Sequence, residues 1–235
     1  MGGPAPLLLL PGAFTDRRLF AHQLDHLGEV AEARFAELAD LDTVEAMAAA
    51  ILAIAPARFA LAGLSLGGTV ALRIIARAPE RVARLALLAT TAAPDPPEVG
   101  AARRAAIARV RGGDFAAQVA TVLPVLLGPT TRARPDRVAA VRAMVTAVGP
   151  DRYARQVEAI ATRPDQRAVT AGIGCPTLVI AGRDDPVTSV DAHRDLAASI
   201  PGARLAVVEQ AGHLAPLDQP VAVTALLRDW LAYPD

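Results

Sequence analysis

Residues 58–79 read RFALAGLSLGGTVALRIIARAP, and this stretch decides the architecture. Phe59 to Leu64 is a short apolar run of strand length, whereas Leu66 to Ala78 carries Val70, Leu72, Ile74 and Ile75 at helical spacing and stops before Pro79. Between them stands Gly63-Leu64-Ser65-Leu66-Gly67-Gly68, a Gly-x-Ser-x-Gly turn in a strand-turn-helix setting. Such a turn holds its serine in a strained backbone conformation, so the residues two positions to either side must be small; Gly63 and Gly67 meet that demand. The turn also aims the helix N-terminus and the Leu66 N–H at a carbonyl under attack by Ser65, where a developing oxyanion would meet a donor and a favourable dipole. An ordinary glycine-rich turn would share the glycines without needing the serine, and a phosphate loop is ruled out because no lysine follows.

Outward from this unit, apolar runs recur at Leu7 to Leu10, Leu85 to Thr90, Thr177 to Ala181 and Leu205 to Val208, with a weaker one at Ala33 to Leu38. Stretches of helical period alternate with them, and Val221 to Leu231 closes the chain as an amphipathic helix. Continuous hydrophobic runs are what strands buried on both faces require, so the class is α/β with a mostly parallel central sheet flanked by helices. From Ala92 to Thr170 the alternation stops: the pattern is helical throughout and broken at Pro124, Gly128-Pro129, Pro135, Gly149-Pro150 and Pro164. We expect a core formed by residues 1–91 and 171–235, with a helical cap inserted at 92–170. The insertion holds 12 arginines against 7 acids and the remainder 12 against 17, so a +5 segment sits on a −5 body. Opposite charge helps seat the one on the other; any of these arginines that faced the cleft would favour a substrate bearing a carboxylate beside its scissile bond.

The 235 residues are 53% hydrophobic and 20% charged with zero net charge, which suits one domain with an insertion. Neutrality and only 3% aromatic residues remove the footprint of a nucleic-acid binder. All 24 basic residues are arginine, so chemistry that needs a lysine is excluded. The single Cys175 forms no internal disulfide and no cysteine-based metal cluster, in keeping with a reducing compartment. Met1 to Pro11 has only the Leu7 to Leu10 apolar run, lacks a basic leader and ends in a Pro-Gly turn, so it fails as a signal peptide. No segment has the roughly 18 apolar residues of a membrane span. The expectation is a soluble, cytoplasmic protein with a small-molecule substrate, no nucleic-acid partner and no membrane association.

A serine nucleophile needs a base, itself oriented by an acid. His213 follows the last apolar run and precedes the final helix, at the sheet edge where such folds bind ligands. His22 and His26 stand four apart on a helical stretch, but no third ligand sits at supporting spacing, so they read as solvated residues. His193, among Asp191, Arg194 and Asp195, reads as a surface residue. After the Thr177 run come Gly182-Arg183-Asp184-Asp185-Pro186, where either aspartate suits the acid by chemistry alone. The edge after Thr90 offers no carboxylate before Asp95. The chain order is Ser, Asp, His.

These features together resemble the α/β-hydrolase superfamily: Leu-Leu-Leu-Leu-Pro-Gly at 7–12, the serine turn at 63–68, Gly182 to Thr188, and Gly212-His213. Cys175-Pro-Thr-Leu, and Gly-His-Leu followed by Gln219-Pro220, look most like the branch of 3-oxoadipate enol-lactonases and small carboxylesterases. The resemblance implies an α/β-hydrolase fold and places the acid three residues after Gly182, which selects Asp185. It also implies a second oxyanion donor at the Ala13 N–H, although Pro11-Gly12 stands where that family has His-Gly. The activity implied is hydrolysis of a carboxylic ester or lactone through an acyl-enzyme on Ser65, with His213 as base, Asp185 orienting it, Leu66 and Ala13 as oxyanion donors, and no metal or organic cofactor. Val119 to Leu127 would line an apolar acyl pocket. Two other readings keep the fold: acyl transfer or peracid formation on the same Ser65, and a non-catalytic small-ligand receptor.

Overall fold

The computed structural model describes residues 5–38 and 40–233, so the first four residues of the N-terminal stretch discussed above lie outside it. The elements run β1 (Ala5–Leu10), α1 (Ala21–His26), β2 (Ala31–Phe35), α2 (Val44–Ile54), β3 (Phe59–Leu64), α3 (Leu66–Arg77) and β4 (Val82–Leu88). Five helices follow without a strand: α4 (Pro97–Arg111), α5 (Phe115–Leu126), α6 (Pro129–Arg132), α7 (Pro135–Ala161) and α8 (Arg167–Thr170). The chain then returns through β5 (Thr177–Gly182), α9 (Val190–Ala198), β6 (Arg204–Val208), α10 (Ala215–Asp218) and α11 (Pro220–Leu231).

The strands form one sheet in the order β2-β1-β3-β4-β5-β6, and every pairing between described residues is parallel. The central β3 and β5 are buried along their whole length, as their unbroken apolar sequences require, whereas β2 at one edge alternates buried and open positions. The edge strand starts two residues and ends three residues earlier than its apolar pattern suggests, with the Ala36 N–H just past it still bonded to the Leu9 carbonyl. The strand expected to end at Thr90 stops at Leu88, since Ala89 turns to φ 47°. α7 bends at Gly149, φ 75°, just where Pro150 removes a helix donor.

The parallel register brings Leu10 beside Gly63, Leu64 beside Leu88 and Gly182 beside Val208. All the strands therefore end at one edge, and the loops that follow β1, β3, β5 and β6 open there together.

Candidate active site

Ser65 closes β3 and opens α3 at φ 53°, ψ −114°, a region that L side chains rarely occupy. It is held there from both sides: its N–H donates to the Leu88 carbonyl at 2.8 Å, and its carbonyl accepts from the Thr69 N–H at 3.0 Å and from Thr90 Oγ1 at 2.9 Å. The flanking glycines have a measurable reason. A Cβ at Gly63 would lie 2.3 Å from the Gly67 carbonyl oxygen, and one at Gly67 would lie 2.5 Å from the carbonyl oxygens of Leu10 and Pro11. Thr90, just past β4, carries no sequence signal for this role, because its partner is 25 residues away.

His213 is buried, with Nε2 3.0 Å from Ser65 Oγ and Nδ1 2.9 and 3.1 Å from the two Asp185 oxygens. An ionised carboxylate only accepts, so the proton sits on Nδ1 and Nε2 presents its lone pair to the serine hydroxyl. Asp185 Oδ1 also accepts the Val187 and Thr188 N–H groups at 2.8 and 3.2 Å. Burial works against ionisation of Asp185, yet the hydrogen bond and charge of His213, with these amides, hold its carboxyl below the ordinary 3.8. Asp184 is exposed, and its backbone N–H bonds the Ala211 carbonyl. Of the two adjacent aspartates, the fold brings only Asp185 to the histidine.

The His213 loop is fixed by a residue the sequence reading overlooked. Buried Asp218 in α10 accepts the Gly212 N–H at 2.9 Å with one oxygen and the Thr131 N–H of α6 at 3.1 Å with the other. Ala13 and Leu66 line the same cleft of about 640 Å³ as Ser65 and His213. Their N–H groups make no hydrogen bond among the described residues. The next amide, that of Phe14, is occupied: it donates to Gln156 Oε1 at 2.9 Å, while the Phe14 ring stacks on Tyr153 with centroids 4.3 Å apart.

Residues 24–220 match the family model described as alpha/beta hydrolase fold. The chain belongs to that family. It is 31% identical over 198 residues, 80% of this chain and 75% of the relative, to the pimeloyl-[acyl-carrier protein] methyl ester esterase of Neisseria meningitidis. Among solved structures, a thermophilic esterase from Thermogutta terrifontis, with malate bound, superposes with a TM-score of 0.87 at 30% identity, covering 98% of this chain and 90% of that one. The enol-lactonase from Burkholderia xenovorans superposes with a TM-score of 0.89 at 27% identity, covering 98% and 93%.

Other expected positions of this alpha/beta hydrolase fall differently. Along α5, Val122, Val125 and Leu126 line the cleft, whereas Val119 and Leu123 are buried away from it. Asp95 does reach the cleft, held between Arg103 and Arg163. His193 is no surface residue: it is 0% exposed, with Nδ1 donating to the Ser189 carbonyl at 2.8 Å and Nε2 without a partner among the described residues. Its charged neighbours in sequence misled, since Asp191, Arg194 and Asp195 do not share the face of α9 that buries His193 and Leu196. His22 is half-buried rather than solvated, bonding Thr224 Oγ1 at 2.8 Å and stacking on His26. Among the described residues no group of three or more His, Cys, Asp or Glu is placed to hold a metal ion, and no helix is long and apolar enough to cross a membrane.

Proposed function

We propose that the protein is a serine hydrolase of carboxylic esters or lactones. The observation that carries this reading is His213 bridging Ser65 Oγ and the Asp185 carboxylate at 3.0 and 2.9 Å, in a cleft that also holds two uncommitted backbone donors. Ser65 Oγ bonds to the substrate carbonyl carbon as its proton passes to His213 Nε2, and the oxyanion takes the N–H groups of Leu66 and Ala13. Collapse breaks the ester C–O bond, and the leaving alkoxide takes the proton from His213. A water, giving its proton to His213, then attacks the acyl-enzyme; Ser65 recovers that proton and the acid is released. Asp185 holds the productive tautomer and stabilises the imidazolium.

On this reading residues 92–170 are a cap, with Val122, Val125 and Leu126 giving the acyl group an apolar wall. The relatives named above, two ester-cleaving enzymes and an enol-lactonase, support the substrate class. The chemistry calls for no cofactor, and a lone cysteine suits a reducing, cytoplasmic setting. The test is turnover of p-nitrophenyl acetate with mass analysis after a fluorophosphonate. Wild type should hydrolyse the ester and carry one adduct on Ser65, and Ser65→Ala should lower kcat by about 10⁴-fold or more. Undiminished turnover in Ser65→Ala, or an adduct elsewhere, overturns the reading.

A further inference from the structure

Where the chain leaves β4 and enters α4, one wall of the cleft carries a half-buried group of three charges. Asp95, whose side chain is 7% exposed, lies between two arginines. Arg163, 10% exposed, donates from Nη2 to Asp95 Oδ1 at 2.8 Å and from Nε to the Ala93 carbonyl at 3.0 Å. Arg103, 27% exposed, donates from Nε to Asp95 Oδ2. The three come from separate places, the loop after β4, the loop just past α7 and the middle of α4, and all of them line the cleft that contains Ser65.

Charge does not balance here. Two guanidiniums face one carboxylate, and the other acid of the cleft, Asp185, is already engaged by His213 and two amides. Burial draws the Arg163 pKa down, an effect that Asp95 opposes and Arg103 reinforces, and the guanidinium stays protonated. Neither Nη1 group has a hydrogen-bond partner among the described residues. A partly desolvated guanidinium pair with open donors on a cavity wall is a ready receptor for a planar anion. Val99, Val122 and Val125 line the same cleft.

We propose that Arg103 and Arg163, cross-braced by Asp95, form a subsite for a carboxylate carried by the substrate away from its scissile carbonyl. This rests on the ester-hydrolase reading and specifies it: the preferred substrates are half-esters or lactones bearing a free acid group. The arrangement also assigns a purpose to the arginine excess of the inserted segment, of which these two members reach the cleft.

The test compares p-nitrophenyl hydrogen glutarate with p-nitrophenyl methyl glutarate, which differ in the charge of the distal group. Wild type should favour the anionic ester in kcat/KM by about tenfold or more at low salt. The preference should shrink toward 1 M salt, as the Debye length falls from about 30 Å to about 3 Å. Arg103→Gln and Arg163→Gln should each lower the preference at least about tenfold. Arg103 is the more exposed, so Arg103→Gln serves if Arg163→Gln fails to fold. A preference that persists in Arg103→Gln, an equal fall for both esters, or no preference in wild type overturns the subsite. Calorimetric binding of glutarate dianion to Ser65→Ala protein, lost on adding Arg103→Gln, reads the subsite without turnover. Binding without hydrolysis by wild type would sink the hydrolase reading alone, and hydrolysis without preference or binding would sink the subsite alone.

Discussion

The Phe14 amide donates to the Gln156 side-chain oxygen over 2.9 Å, joining the loop after β1 to the second half of α7 across 142 residues of chain. Phe14 sits at φ 63°, and its ring is stacked on Tyr153, so α7 clamps this loop by both backbone and side chain. The amide just before it, that of Ala13, is the second oxyanion donor in the proposed mechanism. Gln156→Leu leaves a buried donor unsatisfied, at about 1–3 kcal/mol, and frees the loop to rotate. The expected outcome is a kcat about 10 to 100 times lower for p-nitrophenyl butyrate with little change in KM. Affinity for a trifluoromethyl ketone, which forms an oxyanion in the site, should fall in parallel. A loss confined to KM would detach Gln156 from the oxyanion site.

The two adjacent aspartates give a second expectation. Asp185→Ala should lower kcat by about 10⁴-fold, whereas Asp184→Ala, an exposed position, should stay within about threefold of wild type. The pH dependence has a definite sign. Asp185 has a folded-state pKa below 3.8, so it contributes stability above that value and loses it as the pH falls through the folded pKa. The stability difference between wild type and Asp185→Asn should therefore shift against wild type below about pH 4. Thermal melts from pH 6 to pH 2.5 measure it, and a difference that held constant to pH 2.5 would contradict the depressed carboxyl.

What the sequence disclosed is what its local chemistry determines. Gly63 announces the serine turn because the collision it avoids is with the Gly67 and Gly68 backbone four and five residues away, whereas Gly67 is kept small by the distant Leu10 and Pro11 carbonyls and was legible only through the motif. Continuous apolar runs announce β3 and β5 because both faces are covered. The choice between Asp184 and Asp185 was invisible to chemistry, since it depends on which side of one turn faces His213; only the spacing from Gly182 seen in similar proteins made it. Thr90, Gln156 and the Asp218 contact to Thr131 act across 25 to 142 residues, so no window of sequence contains both partners. α2 escaped notice for another reason: its buried Val44, Met47, Ala48 and Ile51 keep helical spacing, but surrounding alanines flatten the contrast between faces.

His193 supplies a third prediction. Burial lowers its pKa from the ordinary 6.5, which the bond it donates to the Ser189 carbonyl and the charge of Asp185 only partly counter. Above pH 6.5 the imidazole is neutral in both folded and unfolded chains; below it the unfolded chain takes up a proton that the folded one refuses, so stability falls with pH. One such group changes the unfolding free energy by at most about 1.4 kcal/mol per pH unit. Replacing it by methionine, which does not titrate, should flatten urea-derived stability between pH 6.5 and pH 5 relative to wild type. Identical slopes for the two proteins would show that His193 takes up its proton without unfolding.

The last prediction concerns the strain at the serine turn itself. In most settings glycine is less favourable than alanine by about 0.5–1 kcal/mol, because it gives up more backbone freedom on folding. At Ser65 the sign should invert. A non-glycine residue at φ 53°, ψ −114° costs about 1–3 kcal/mol, and Ser65 endures it because the Leu88, Thr69 and Thr90 hydrogen bonds fix the backbone around it. Alanine inherits the strain and glycine removes it, while both delete the hydroxyl. Ser65→Gly should therefore melt above Ser65→Ala, by about 2–4 °C per kcal/mol for a chain of this size, with both variants inactive toward esters. A melting point for Ser65→Gly at or below that of Ser65→Ala would mean that the turn is unstrained, and that the small residues at 63 and 67 answer to packing alone.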